Sequence, residues 1–153
     1  MDTFDCLLPG AAAAGRSLTL PFERRARSRQ RVVLDDGGEA LLALPRGTVL
    51  RDGDVLGSTA GDQVRPVVVR AAVETVSVAA SADPGLLLRA AYHLGNRHVP
   101  VQIGPGWLRY GQDRVLDDLC RGLGLEVAVL ELPFEPEAGA YAGGGHGHAH
   151  GHR

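Results

Sequence analysis

The first half of the chain alternates short apolar runs with frequent turns, a pattern typical of β-strands. Within residues 29–34, Gln30, Val32 and Leu34 share one face of an extended strand. The Asp-Asp-Gly-Gly sequence at 35–38 supplies the positive φ that a hairpin turn needs, so residues 39–44 are expected to pair back. Short strands at this spacing predict a small all-β domain, which we assign to residues 16–72.

The second half of the chain combines the alternation typical of strands with the spacing typical of helices. A strand pattern over 74–79 precedes an apolar stripe at helical spacing that begins at Pro84, and a second stripe follows Asp113. Further strand patterns lie at 99–103, 107–110 and 126–132. The resulting order is strand, helix, strand, strand, helix, strand. It predicts a ferredoxin-like βαββαβ domain over residues 73–142, so the expected fold class is α+β.

Both ends of the chain depart from these patterns. Residues 1–15 contain an apolar run, but Asp2 and Asp5 stand where a signal peptide carries positive charge. We therefore expect a flexible N-terminal arm over 1–15. From Pro133 onward proline and glycine accumulate, and residues 143–153 are expected to form a disordered histidine-rich tail.

Composition limits the possible functions. The 153 residues are 44% hydrophobic, which suits a soluble globular protein with its own core. A formal charge of −2 argues against nucleic-acid binding as the main function. No apolar run approaches the roughly 18 residues of a membrane span. Two cysteines are too few for a disulfide framework, so a cytoplasmic location is expected.

The histidines carry the strongest chemical signal. Within residues 91–100 a helical pattern gives way to an extended one, and Gly95-Asn96 is expected to end the helix. His98 then lies on a loop, where a neutral imidazole is available as a metal ligand. On spacing alone, a metal ligand and a hydrogen-bonded structural histidine are both open for His98. His93 does not share a helix face with it and is expected to face the core or to orient another ligand.

Further imidazoles alternate with glycine or alanine in the tail, at His146, His148, His150 and His152. One chain without fixed structure can wrap several of them around one ion, although an expression tag or a solubilising end has a similar composition. Imidazole suits nickel, copper, zinc and cobalt, so residue types alone do not select the metal. An extended chain from Gly143 to His152 spans up to about 30 Å, which allows the tail and His98 to share an ion.

Two copies of the chain are expected to work together. A single loop histidine binds divalent metal weakly, whereas two copies of His98 facing each other across a twofold axis bind it better, which predicts a homodimer. Protonation competes with metal, so binding capacity should fall as the pH drops through about 6.5.

Other classes of function have weaker support. The arginine cluster of residues 24–31 would place positions 25, 27, 29 and 31 on one face if extended, giving either a docking surface for an acidic partner or a solvated strand face. Cys120 falls on an apolar stripe and is expected in the core. The sequence motifs do not provide a nucleophile, a general base and a group to orient the base, so we do not expect the protein to be an enzyme. The alternative is a peptide- or RNA-binding module with an incidental tail, and the lack of paired exposed aromatics lowers the RNA version.

Several segments together resemble the UreE family of urease accessory proteins. These are LTLPFE at 18–23, SRQR at 28–31, LPRGT at 44–48, DGD at 52–54, YHLGNRHVP at 92–100 and FEPEAGAY at 134–141. The resemblance implies a nickel metallochaperone that helps to assemble the urease active site, with Ni²⁺ as transported cargo and Zn²⁺ or Cu²⁺ as possible ligands in vitro. It also implies a β domain of the partner-binding type and a homodimer joined through the ferredoxin-like domain.

The same resemblance assigns roles to particular residues. The family's central metal-binding histidine falls on His98, and its histidine-rich tail falls on residues 146–152. The implied partners are the urease accessory GTPase and, through it, apo-urease. One departure concerns the segment 110–114, where some members carry extra histidines and this chain has Gln112 and Arg114. A peripheral metal site there is in doubt, and the tail would have to supply it.

Overall fold

The chain forms an all-β N-terminal part and an α+β C-terminal part, and a computed structural model describes residues 1–9, 14–61 and 63–139. The N-terminal elements are β1 (Asp2–Phe4), β2 (Cys6–Leu8), β3 (Arg16–Leu20), the one-turn helix α1 (Phe22–Arg25), β4 (Arg29–Val33), β5 (Glu39–Ala43), β6 (Val55–Gly57) and β7 (Val67–Ala71). They build two sheets with strand orders β1-β5-β4 and β2-β6-β7-β3. Leu18, Leu42 and Leu56 come from both sheets and are fully buried in one shared core.

The start of the chain belongs to this core. β1 pairs in parallel with β5, and β2 pairs antiparallel with β6. Phe4 is fully buried, and the Asp5 carboxylate accepts hydrogen bonds from the backbone and the hydroxyl of Thr59. The prediction of a flexible arm over 1–15 is therefore wrong for residues 2–8, because a buried aromatic and two strand pairings tie them down. Residues 10–13 of that predicted arm lie outside the described residues.

The arginine cluster does not form a common face. Residues 22–25 turn into α1, which directs Arg25 into the interior, where its side chain is fully buried. Arg24 folds back to donate a hydrogen bond to the carbonyl of Arg31. Only from Arg29 onward is the chain extended, as β4. The expected shared face over positions 25–31 is wrong, because the helical turn breaks the two-residue alternation.

The C-terminal part consists of β8 (Val73–Ala80), α2 (Pro84–Asn96), β9 (Gln102–Gly104), β10 (Trp107–Gly111), α3 (Arg114–Leu123) and β11 (Glu126–Pro133). Its strands form one antiparallel sheet in the order β11-β8-β10-β9. This is the strand order of a ferredoxin-like βαββαβ unit, so the predicted α+β class and the ferredoxin-like arrangement are confirmed.

Side-chain caps fix where the two long helices begin. The Asp83 carboxylate accepts from the backbone N–H of Gly85, and the Asp113 carboxylate accepts from those of Val115 and Leu116. The buried stripes of both helices then cover one face of the sheet, and Cys120 is fully buried there, as predicted. Among the helices in the described part of the chain, none has the length and apolar character needed to cross a membrane.

Gly104 lies where the Trp107 ring crosses from β10 to β9. A Cβ at Gly104 would lie 2.1 Å from this ring, so Gly104→Ala must displace the indole. We expect the substitution to lower the free energy of unfolding by about 1–3 kcal/mol. Urea unfolding monitored by the fluorescence of Trp107, the only tryptophan in the sequence, measures this change.

Gly111→Ala is the matched control, because Gly111 lies on β10, the strand that carries Trp107, and a Cβ added there would meet no other atom within 4 Å. Equal unfolding midpoints for the two variants would contradict the expected clash between residue 104 and the indole.

Candidate metal centre

His98 lies at the point where α2 ends. The N–H of His98 donates to the carbonyl of Gly95 over 3.1 Å, and the N–H of Val99 donates to that of Leu94 over 3.2 Å. These two bonds form a Schellman motif, in which the residue after the C-cap adopts the left-handed conformation. Here that residue is His98, with φ of 56°. Val99 packs against the core that contains Leu94, which adds the apolar contact typical of the motif.

The backbone of His98 is strained. Among the described residues it is the only non-glycine residue with positive φ. For an L-residue this conformation costs about 1–2 kcal/mol, which is why glycine normally occupies the position. A residue other than glycine in this conformation marks a candidate functional position.

The end of α2 differs from the prediction. The sequence predicts that Gly95 and Asn96 end the helix through positive φ, but both lie inside it and the left-handed residue comes two positions later. The packing of Val99 on the core determines the end point. A local preference of glycine and asparagine for positive φ is smaller than the free energy of burying an apolar side chain.

Both described histidines are exposed to solvent. The expectation that His93 faces the core is wrong, because Ala90 and Leu94 carry the buried stripe of α2 and His93 points away from it. Its ring instead lies edge-on to Tyr92, with ring centroids 5.4 Å apart. His98 is exposed, so an ion in solution can reach its imidazole.

His98 lines an open groove at the end of α2. The other walls come from α1, from α2 and the segment after it, from β9 and from the C-terminal residues, and they include Phe22, Val101, Ile103, Glu137 and Gly139. Apart from Glu137 these walls are apolar. An ion held by His98 would therefore lie at the edge of a weakly polar surface, where charge interactions are stronger than in open water.

A second apolar stripe of α2 leads into this groove. Leu88, Ala91, Tyr92 and Gly95 follow the spacing i, i+3, i+4, i+7 and therefore share one helix face. Leu88 is 72% exposed and Tyr92 is 65% exposed, whereas Ala91 and Gly95 line the groove beside His98. We call these four residues the α2 outer stripe. This stripe was not predicted from the sequence, although its residues repeat at the same helical spacing as the buried stripe.

The residues after β11 bring the end of the described chain to His98. We call residues 134–139 the C-terminal strap. Its backbone is held by hydrogen bonds from Arg25 to the Phe134 carbonyl, from Glu135 N–H to Gln102 Oε1 (2.9 Å), from Arg51 to the Pro136 carbonyl (2.6 Å) and from Glu137 N–H to the Val101 carbonyl (2.7 Å). Gly139, the last described residue, lines the groove with His98. The described chain thus ends at the edge of this groove.

The remaining predicted ligands have different positions. His146, His148, His150 and His152 lie outside the described residues. Gln112, between β10 and α3, and Arg114, the first residue of α3, are both exposed, and the segment 110–114 contains no imidazole. Within 1–9, 14–61 and 63–139, no three His, Cys, Asp or Glu side chains come together in a group that could hold a metal ion.

Comparison with known proteins identifies a family for both parts of the chain. Residues 8–72 match the family described as UreE urease accessory protein, N-terminal domain, and residues 74–153 match its C-terminal domain. A urease accessory protein UreE of Pseudomonas putida (strain W619) is 60% identical over 125 residues, which cover 82% of this chain and 76% of that protein. The corresponding protein of Enterobacter sp. (strain 638) is 56% identical over 141 residues, covering 92% and 91%. That of Escherichia coli O157:H7 is 57% identical over 125 residues, covering 82% and 80%.

Proposed function

Because this chain belongs to the UreE family of urease accessory proteins, we propose that it binds Ni²⁺ as cargo and delivers it for assembly of the urease active site. The observation that carries the proposal is His98, an exposed imidazole kept in a strained left-handed conformation at the edge of a groove. Neutral imidazole is a good ligand for Ni²⁺, and Zn²⁺ or Cu²⁺ can compete for the same atoms in vitro.

A pair of His98 side chains makes a stronger site than one. The α2 outer stripe exposes Leu88 and Tyr92 beside the groove, and a second copy of the chain packed on this stripe would bury both. A twofold axis that passes beside the His98 end of this stripe would also bring the second His98 close to the first. The proposed centre is therefore shared by a homodimer, with one imidazole from each chain.

The tail supplies further ligands to this centre. His146 follows Gly139 by seven residues in the sequence, a length that spans up to about 25 Å when extended. A tether this short keeps the tail imidazoles at a local concentration of roughly millimolar. We propose that His146, His148, His150 and His152 collect ions and exchange them with the His98 pair.

Delivery requires a recipient. The proposed recipients are the urease accessory GTPase and, through it, apo-urease, in the cytoplasm, where Cys6 and Cys120 stay reduced. An exposed site with few protein ligands suits this role, because an ion bound there can pass to a partner without unfolding of the donor. The protein itself is proposed to carry out no catalytic step.

The dimer proposal is tested by charging the α2 outer stripe. The double variant Leu88→Glu and Tyr92→Glu is expected to sediment as a monomer, because like charges would face each other across the twofold interface. Loss of the second imidazole should weaken the tightest nickel site by about 100-fold, while ions held by the tail remain. Analytical ultracentrifugation and calorimetric nickel titration measure the two effects.

Leu130→Glu is the control for this experiment. Leu130 is 45% exposed but lies on β11, outside the stripe. A stripe variant that remains a dimer with wild-type nickel affinity would rule out this interface.

A peptide-binding module is the second candidate function. The feature that favours it is β4, which lies at the edge of its sheet and exposes Arg29 and Arg31. An extended acidic segment could add to such an edge through backbone hydrogen bonds. A His98→Ala variant that kept full urease-activating capacity would favour this function over nickel delivery.

A further inference from the structure

The buried guanidinium of Arg25 connects the β domain to the C-terminal strap. Its side chain is fully buried, an unusual position for a positive charge. Burial lowers the pKa of this guanidinium below its ordinary value, and the nearby Glu135 carboxylate acts in the opposite direction. A buried charge costs several kcal/mol unless it is fully partnered, so the groups around Arg25 must be held in place.

The partners of Arg25 come from two distant parts of the sequence. In the β domain it donates to the carbonyls of Leu20 (3.1 Å) and Leu50 (3.0 Å). In the strap it donates to the carbonyl of Phe134 and lies 3.4 Å from the carboxylate of Glu135. One rigid planar group thus fixes the strap relative to the β domain.

Neighbouring contacts reinforce this attachment. The Glu135 carboxylate also accepts from the N–H of Asp52 over 2.7 Å, and Arg51 donates to the Pro136 carbonyl over 2.6 Å. The Phe134 ring packs edge-on against Phe22, with centroids 5.8 Å apart. All of these partners belong to the β domain, which holds the start of the strap, while Gln102 and Val101 of the C-terminal part hold the N–H groups of Glu135 and Glu137.

We propose that Arg25 is a positioning residue for metal capture: it anchors the strap so that Gly139, from which the sequence continues to the tail histidines, stays beside His98. The inference rests on the proposed function, since it gives the tail its purpose. It assigns the β domain a role in nickel binding although the domain contributes no metal ligand to the proposed centre.

The geometry sets the size of the expected effect. With the strap docked, His146 follows Gly139 by seven positions; with the strap released, it follows Pro133 by thirteen positions. Effective concentration falls as about the −3/2 power of tether length, so release should reduce the tail's contribution to nickel affinity about 2- to 3-fold.

Hydrogen exchange tests the anchor without any metal. The Glu137 N–H is protected by its bond to the Val101 carbonyl only while the strap is docked. In Arg25→Met its exchange should accelerate by at least about tenfold, whereas amides of α3 keep their protection. Arg29→Met, an exposed arginine of β4, is the control and should exchange as the wild type does. Unchanged exchange at Glu137 in a folded Arg25→Met protein would overturn the inference.

A second variant guards against a folding failure. Arg51→Met removes only the bond to the Pro136 carbonyl and leaves the buried guanidinium in place. If Arg25→Met does not fold, Arg51→Met should still accelerate exchange at Glu137 relative to Arg29→Met, and equal exchange in those two proteins would overturn the inference.

Nickel titration of four proteins tests the link to metal capture. Wild type and Arg25→Met are each compared with and without residues 143–153. We expect the two tailless proteins to bind nickel with equal affinity. The gain in nickel affinity that residues 143–153 provide, which we call the tail advantage, should be about 2- to 3-fold smaller in Arg25→Met than in the wild type. An unchanged tail advantage overturns the inference alone. Absence of nickel binding by the full-length wild type would instead refute the proposed function, and the inference with it.

Discussion

Replacement of His98 by asparagine is expected to weaken the tightest nickel site by at least about 100-fold while the protein stays folded. Asparagine tolerates the left-handed conformation but provides no imidazole, so it separates ligand loss from backbone disruption. Calorimetric titration of tailless protein, which lacks residues 143–153, measures the effect on the His98 pair alone.

Glycine and alanine at the same position complete the test. His98→Gly should raise the free energy of unfolding by about 1 kcal/mol, because glycine adopts a φ of 56° without steric cost. His98→Ala retains the backbone strain and should gain nothing. Both variants should lose the tight site. A glycine variant that binds nickel like the wild type would show that His98 is not the ligand, and one without added stability would show that its backbone is not strained.

Deletion of residues 143–153 is expected to reduce the number of nickel ions bound per dimer and to leave one tighter site. The removed segment carries His146, His148, His150 and His152, whereas His98 stays in place at the end of α2. Equilibrium dialysis against Ni²⁺ gives the number of ions, and competition with a chelator gives the affinity of the remaining site.

A length-matched protein separates the tail's imidazoles from its chain. Substitution of the four tail histidines by asparagine should reproduce the deletion, because the tail binds through imidazole and not through its backbone. If the truncated dimer bound no nickel at all, the role assigned to His98 would be wrong.

Helix caps and periodicity were sufficient to predict the ferredoxin-like part. Asp83 and Asp113 mark the starts of α2 and α3 by local chemistry, and the two buried stripes repeat at helical spacing. The order of elements then restricted the sheet to few arrangements. These signals are local, which is why a single sequence reveals them.

The errors have a common physical origin. Strands of three residues, such as β1, are too short to show alternation, and their stability comes from partners such as β5 that lie far along the chain. Arg25 belongs to a charged cluster that suggests exposure, yet distant carbonyls make its burial possible. The end of α2 was predicted from the preference of Gly95 and Asn96 for positive φ, but the packing of Val99 on the core places the left-handed residue at His98 instead.

The position of His98 was predictable because its surroundings are local. His98 lies two residues after the last residue of α2, so a position outside the helix and exposure to solvent could be inferred from the sequence. The approach of the strap to the groove could not, because it depends on bonds between residues 109 positions apart, Arg25 and Phe134.

That separation also bears on the order in which the protein acquires its structure. Contacts between distant residues form late, since closing a long loop costs entropy before any bond repays it. During synthesis the strap leaves the ribosome more than a hundred residues after Arg25, when the β domain can already be complete. The strap therefore reaches the groove beside His98 late in folding, and under the proposed function nascent or half-folded molecules should bind nickel poorly.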